Sequence, residues 1–339
     1  MKIAFWGTPN FAVPSLEALY KSENDIVCVI TQPDKRRGRR NSQIESPIKK
    51  KAIELSIPII TSQSIKNDIR ARNKILKYKP DIFIVVAYGQ ILPNSLLTIP
   101  ILGSWNSHAS LLPKWRGAAP IQWSILNGDE QTGVGIMQME EGLDTGPVLI
   151  EEKVTIGLND NYLSVSEKLS HISAKLLLET IEIIKKSRYS NTKTNLSLLK
   201  LTCQKDKIGK ITYARQIEKK DLNINFNSNC IDIHKKVMAL YPNSYIIYKG
   251  KVLKLESTEP LAEKYSLEIT PEAKSILDNK IKYKNILPGT VIEIVKDIGI
   301  IVQCMDYPIL IKKAKLEGKK SNFGKSLIQQ LSIIKGYRF

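Results

Sequence analysis

Cysteine and histidine are scarce in this chain, with four and three in 339 residues. Cys28, Cys203, Cys230 and Cys304 lie far apart, in none of the paired spacings that hold a metal or build a disulfide framework. Buried thiols in a reducing compartment are expected instead. No apolar run approaches the ~18 residues that a membrane helix needs, and MKIAFWGTPN lacks a charged-then-apolar leader pattern. The expectation is a cytoplasmic protein, with a monomer as the default. Neither a Walker motif nor a G-x-G-x-x-G follows the first apolar run, where Gly7-Thr8-Pro9 makes only a tight turn. Nicotinamide and ATP chemistry thereby lose their main support. No internal repeat is evident.

Positive charge is abundant: 51 Lys and Arg stand against 33 Asp and Glu, a formal +18. Residues 1–188 hold 24 of these cations against 19 anions (+5), which leaves 27 against 14 (+13) for residues 189–339. An asymmetry of this kind suggests that one half does chemistry and the other grips a polyanion. The Ile, Asn and Lys richness could equally follow from genome composition, so charge alone leaves nucleic acid an open reading.

The first half alternates apolar runs with helical periodicity. Lys2–Trp6, Ile26–Ile30, Pro58–Ile60, Ile82–Ala87 and Leu102–Asn106 read as strands, several of them wholly apolar and so buried on both faces. This predicts an α/β domain with a doubly wound, mostly parallel, Rossmann-like sheet, in which ligands bind beyond the carboxyl ends of the strands. Residues 132–155 read as two antiparallel strands, and Tyr162–Lys186 carries helical spacing. The polar, aperiodic Arg188–Leu196 suggests a linker. Beyond Ile208, five short runs (Ser244–Tyr248, Lys251–Leu255, Gly289–Ile294, Gly299–Gln303 and Pro308–Lys312) suggest a small OB-like β-barrel. The expected division is a catalytic domain over 1–188, a linker over 189–207 and an OB-like domain over 208–339. Residues 261–286 read as a lysine-rich loop.

Within QPDKRRGRRNSQIESPIKKK, residues 32–51, the cations Lys35, Arg36, Arg37, Arg39 and Arg40 surround Gly38. A loop at the carboxyl end of a strand lies on the ligand side of such a sheet. A solvated charge run is the plain reading; a long charged loop inside a compact domain is also where function concentrates.

Chemistry points to Leu102–Gly146. A strand running into Trp105-Asn106-Ser107-His108 would set Asn106 and His108 on one side. Asn106 offers an uncharged donor for an oxygen that becomes negative, and His108 offers a base near neutrality. Asp144, in Glu140-Glu141-Gly142-Leu143-Asp144-Thr145-Gly146, could orient His108 and balance its charge. A structural histidine at a strand end and an exposed turn aspartate are the competing readings. His171 and His234 sit on helical patterns without polar neighbours of this sort.

These residues carry a resemblance. Asn106-Ser107-His108-Ala109-Ser110-Leu111-Leu112-Pro113 with Trp115-Arg116-Gly117-Ala118-Ala119-Pro120 resembles the hallmark of folate-dependent formyltransferases. Gly133–Met139 through Asp144-Thr145-Gly146, Phe5–Pro9 and Val86–Pro93 extend the match. Thr31-Gln32-Pro33-Asp34, Gly38-Arg39 and Ser46-Pro47-Ile48-Lys49 resemble the basic insertion of the members that act on methionyl-tRNA. Thr212-Tyr213-Ala214, Leu240-Tyr241-Pro242 and Pro288–Val291 resemble their C-terminal domain. Phe226 stands where the family has Trp.

The resemblance implies transfer of a formyl group from 10-formyltetrahydrofolate to the methionine amine of initiator methionyl-tRNA, without a metal. It implies Asn106, His108 and Asp144 as the catalytic set. Ser110, Leu111, Leu112 and Pro113, with Ala87, Tyr88, Gly89, Ile91 and Leu92, are implied as the folate site, and Lys35, Arg36, Arg37, Arg39 and Arg40 as tRNA contacts. Two other readings stay open. One is a relative that formylates a sugar nucleotide or glycinamide ribonucleotide; the other is an RNA-binding protein whose α/β half has lost its chemistry.

Overall fold

The apolar runs of the first half fold as the strands Lys2–Gly7, Asp25–Thr31, Ile59–Thr61, Ile82–Val86 and Ser104–His108 of a computed structural model. It describes residues 1–37, 42–187, 199–279 and 285–339. Neighbours among these five strands run parallel, and Gln131–Gln138 and Val148–Thr155 complete a seven-stranded sheet. From one edge the order is Val148–Thr155, Gln131–Gln138, Ser104–His108, Ile82–Val86, Lys2–Gly7, Asp25–Thr31 and Ile59–Thr61. Gln131–Gln138 lies antiparallel to Ser104–His108, with His108 opposite Gly135.

Every residue of Ile82–Val86 is buried, as a central strand covered on both faces requires. Trp6 sits 5.1 Å from Phe83 and 5.2 Å, edge-on, from Tyr88, filling the layer beneath the sheet. The strand expected over Leu102–Asn106 begins and ends two residues later. Leu102 instead forms a turn whose carbonyl accepts the Trp105 indole N–H at 2.9 Å. Pairing with Gln131–Gln138 then carries the strand through His108. Ser107, pointing the other way, meets the Ser173 hydroxyl at 2.6 Å, and Ser173 meets Ser15 at 3.0 Å. This three-hydroxyl chain ties the strand to the helices Tyr162–Lys186 and Val13–Lys21.

The chain resolves into two compact units. The first comprises Met1–Pro120, Thr132–Val154 and Ser166–Arg215; the second comprises Ile121–Gln131, Thr155–Val165 and Gln216–Phe339. Arg188–Leu196, read as a linker, lies outside the described residues. The segment that follows it, from Leu199, is laid on the first unit: Thr202 bridges Val148, and Tyr213–Ala214 pairs in parallel with Arg116–Gly117.

The second unit holds an antiparallel sheet of six strands, one more than the periodicity suggests. Tyr245–Tyr248, Lys251–Pro260, Pro308–Leu316, Gly299–Gln303 and Val291–Val295 follow one another, and Ser321–Phe323 adds to Pro308–Leu316. The helix Cys230–Ala239 lays Ile233 and Val237 into the core with Leu255, Val302 and Ile309. Two expectations are corrected here. Residues 261–286 are not simply a loop: Thr270 caps a helix over Pro271–Asp278, and Ala273 and Ile276 anchor it. His234 has polar neighbours, Thr258 Oγ1 at 3.1 Å and the Leu158 carbonyl at 2.8 Å. Burial holds its imidazole below its ordinary pKa, because charging it there would forfeit hydration.

Candidate active site

The pleat of Ser104–His108 sends Asn106 and His108 to the same side, at the carboxyl end of a parallel strand. Asp144 comes to meet them from the turn between the last two strands of the sheet. Asn106 Nδ2 lies 3.4 Å from Asp144 Oδ1, and His108 Nδ1 lies 3.6 Å from Asp144 Oδ2. The Gly117 amide donates to the same Oδ2 at 2.8 Å. Amide, imidazole and carboxylate are thus brought together, although 35 residues lie between His108 and Asp144 in the chain.

The turn is a strained one. Asp144 has φ 51°, in the left-handed region that aspartate tolerates better than most side chains. A side chain at Gly146 would run into the Gln138 carbonyl, so the chain can return to the sheet here only as glycine. Trp115, at φ 61°, shows the same backbone conformation on the facing segment. Left-handed non-glycine residues cost about 1–3 kcal/mol each and gather where a site over-determines them.

Trp115 supplies what the residue pattern could not reveal. Its carbonyl lies 2.9 Å from His108 Nε2, and a carbonyl only accepts. The proton of neutral His108 therefore sits on Nε2, which leaves the Nδ1 lone pair on the side of Asp144. The imidazole is buried and the carboxylate is 14% exposed, so a proton gained by the ring during reaction would be weakly screened from Asp144. Trp115 is itself held by its amide, which donates to Thr212 Oγ1 at 2.9 Å.

The segments singled out for folate divide into inward and outward parts. Tyr88, Leu92, Ser110, Leu112 and Pro113 are buried. The Ser110 hydroxyl donates to the Lys114 carbonyl at 2.6 Å, and Leu112 packs on Met137 and Val148. Leu111 is half-buried, while Ala87, Gly89 and Ile91 are exposed, Ile91 to 74%. Ala87 (φ 48°) and Gly89 (φ 84°) both take the left-handed backbone conformation in this segment. Thr8 Oγ1 and Gln32 Nε2 donate to the Tyr88 carbonyl at 2.9 and 3.0 Å, and Gln32 also reaches the Gly89 carbonyl at 3.1 Å. These bonds fix the segment from Tyr88 to Gly89 in one conformation, as a preformed ligand crevice requires.

Gln32 also opens the basic segment. Lys35–Arg37 pairs antiparallel with Ser42–Ile44; Arg39 and Arg40 lie outside the described residues, as do the positions of the other cationic side chains of this hairpin. Its base is stapled. Lys49 reaches Asp34 at 2.6 Å and Glu45 at 3.3 Å, and Thr31 and Ser46 share a hydroxyl contact of 2.9 Å. The hydrogen bond that Lys49 donates to Asp34 raises its ammonium above its usual pKa. One glutamine thus joins the root of the hairpin to the segment around Tyr88. Among the described residues no cluster of His, Cys, Asp and Glu could hold a metal ion, and no helix is long and apolar enough to cross a membrane.

Residues 1–181 match the family model described as formyl transferase, and residues 216–332 match the one described as formyl transferase, C-terminal domain. A methionyl-tRNA formyltransferase of Prochlorococcus marinus is 49% identical over 340 residues, covering 98% of this chain and 97% of its own. One from a Synechococcus species is 45% identical over 332 residues, with the same coverages. Among solved structures, an N-formyltransferase from Helicobacter canadensis, in complex with folinic acid and dTDP-3-aminofucose, superposes with a TM-score of 0.60. It is 19% identical, over 92% of this chain and 98% of its own.

Proposed function

The chain belongs to the methionyl-tRNA formyltransferase family of folate-using formyl transferases, and we propose that it moves the formyl group of 10-formyltetrahydrofolate onto the free α-amine of initiator methionyl-tRNA. The convergence of Asn106, His108 and Asp144 at one strand end carries this reading. The amine attacks the formyl carbon, a C–N bond forms, and the carbonyl π pair moves onto oxygen. Asn106 spends one amide hydrogen on Asp144 and keeps the other for that oxyanion. A donor placed so contributes about 10²–10³ in rate.

His108 takes the amine proton on Nδ1, since Trp115 occupies Nε2. The imidazolium so formed lies between the Asp144 carboxylate and the Trp115 carbonyl. Collapse restores the carbonyl and breaks the bond to the folate nitrogen, which leaves with its electron pair and takes up the proton His108 held. Folate rests along the segment from Ala87 to Ile91 and beside Leu111, with the buried Tyr88, Leu92, Ser110, Leu112 and Pro113 as the floor that shapes it.

The division of labour is part of the proposal. The first unit performs the chemistry, and the +13 half grips RNA through its phosphates, as its charge permits without base-specific contacts. Lys35, Arg36, Arg37, Arg39 and Arg40 meet the end of the acceptor stem, where a weak terminal pair is cheaper to open than a strong one. The test is formylation of charged initiator tRNA by the wild type and by His108→Ala. Loss of a general base predicts a fall in kcat of about 10²–10⁴. Formylation of an amino-sugar nucleotide in preference to charged tRNA would overturn the substrate, and unimpaired His108→Ala would overturn the site.

A further inference from the structure

Behind the catalytic groups lies a side chain from the segment expected to be a linker. Gln204 belongs to the short turn Gln204–Asp206 and is only 4% exposed. Its carboxamide is fully committed. Nε2 donates to the Asp144 carbonyl and to the Gly146 carbonyl, each at 2.8 Å. Oε1 accepts from Arg116 Nε at 3.0 Å and from Arg116 Nη2 at 2.8 Å. Two donors and two lone pairs are all that a primary amide has, and all four are used.

The partners are not scattered over the unit. On one side Gln204 grips the main chain of Asp144 itself and closes the left-handed turn that aims its carboxylate. On the other it holds Arg116, a buried side chain whose neighbours in sequence are the two backbone contacts of the site. Trp115 gives its carbonyl to His108, and Gly117 gives its amide to Asp144. One amide therefore sets the distance between the carboxylate and the carbonyl that flank the imidazole. The rest of the segment supports the same corner. The Arg116 amide donates to the Thr212 carbonyl at 2.9 Å, and a side chain at Gly117 would meet the Ala214 carbonyl at 2.7 Å.

We propose that Gln204 is a positioning residue of formyl transfer. It fixes Asp144 and the Trp115–Gly117 segment against each other, so that His108 is held between them; this rests on the function proposed above. No other uncharged side chain offers the combination required here. A glutamate would still accept from Arg116, but it would turn a carboxylate oxygen toward two carbonyls that now accept hydrogen bonds. It would push the Asp144 turn away while keeping its hold on the guanidinium. A methionine of similar length would leave the two carbonyls and the guanidinium unpartnered.

The test is a double-mutant cycle in the full-length protein, with 10-formyltetrahydrofolate and charged initiator tRNA. Displacement of a catalytic group by about 1 Å costs on the order of 10² in rate. Gln204→Glu is therefore expected to lower kcat about 10–10²-fold, with the KM for tRNA unchanged within about threefold. In an Asp144→Asn background the same substitution should change kcat by less than about threefold, because the group it acts through has already lost its charge; additive effects belong to independent sites. An undiminished kcat in Gln204→Glu, or an equal loss in both backgrounds, overturns the inference. Should the charged variant fail to fold, Gln204→Met carries the same comparison.

A second readout does not use the reaction. The ring ¹⁵N resonances of His108 should show one proton fixed on Nε2 in the wild type and a mixture of tautomers in the variant. An unaltered ring overturns the inference even if activity falls. A wild type that fails to formylate charged tRNA, with the ring signature intact, overturns the substrate reading alone.

Discussion

The two units solve the problem of burying a sheet differently, and the difference tracks what each is asked to do. The first covers a largely parallel sheet on both faces, so Ile82–Val86 is apolar throughout and polar groups are pushed to the strand ends. Asn106, His108 and Asp144 gather there because a strand end is where a buried sheet can present polar groups to a ligand. The second unit carries an antiparallel sheet in which lysines alternate with core positions, as in Lys251–Pro260, where buried Leu253 and Leu255 alternate with Lys254. One arrangement concentrates a few groups with fixed geometry, and the other distributes many charges without it. Chemistry needs the first and a polyanion asks only for the second.

The comparison breaks most visibly at Asn106. Asn106→Ala is expected to lower kcat by about 10²–10³ while tRNA binding, followed by filter retention, stays within threefold. A large loss of binding would mean that the site also grips RNA. The reverse experiment uses salt. Raising it from 50 to 200 mM should weaken tRNA binding at least about tenfold, with kcat at saturating RNA preserved. A flat response would deny the second half its role. Between these lies Arg39→Gln with Arg40→Gln, expected to reduce the preference for initiator over elongator methionyl-tRNA about tenfold, because the loop would no longer read how easily the terminal pair opens.

A smaller effect sharpens the comparison from the side of stability. Burial holds the His234 imidazole below its ordinary pKa of 6.5, so an unfolded chain takes up its proton first. The contribution of this residue is complete above that value and is lost as the pH falls below it. The melting temperature of the second unit should drop between pH 7.5 and 5.5, and His234→Gln should narrow the drop. The mildest test is thiol labelling. Burial pushes Cys28 and Cys230 up to about 12 and raises Cys304 further, whereas Cys203 is exposed. One thiol per native chain should react with a maleimide, against four after denaturation.

Strands were legible where sequence and burial obey one rule. Wholly apolar runs such as Ile82–Val86 can be little else, and the two-residue alternation of Asn106 and His108 followed from the pleat. The meeting of Asp144 with His108 was one of two readings of a glycine-flanked acid, since no local rule reaches across 35 residues of chain to choose between a partner and an exposed turn. The contacts of Trp115 and Gly117 with the site have no sequence signal, because they are made through main-chain atoms, which every residue owns. Gln204 escaped notice because a buried amide in a polar stretch has no periodicity to betray it. The second unit misled at His234, where helical spacing gave no hint of Leu158, 76 residues away.

The pairing of Tyr213–Ala214 with Arg116–Gly117 also sets an order of events at the ribosome. Domains generally fold as units from the N-terminus while synthesis continues. All seven strands of the first sheet have emerged by residue 155, yet the corner that holds His108 lacks its outer layer until about sixty residues later. The nascent chain therefore carries a finished scaffold before it carries a finished catalyst. A fragment ending at Lys186 should fold around its sheet and remain inert, while one ending at Arg215 contains every hydrogen bond of the corner.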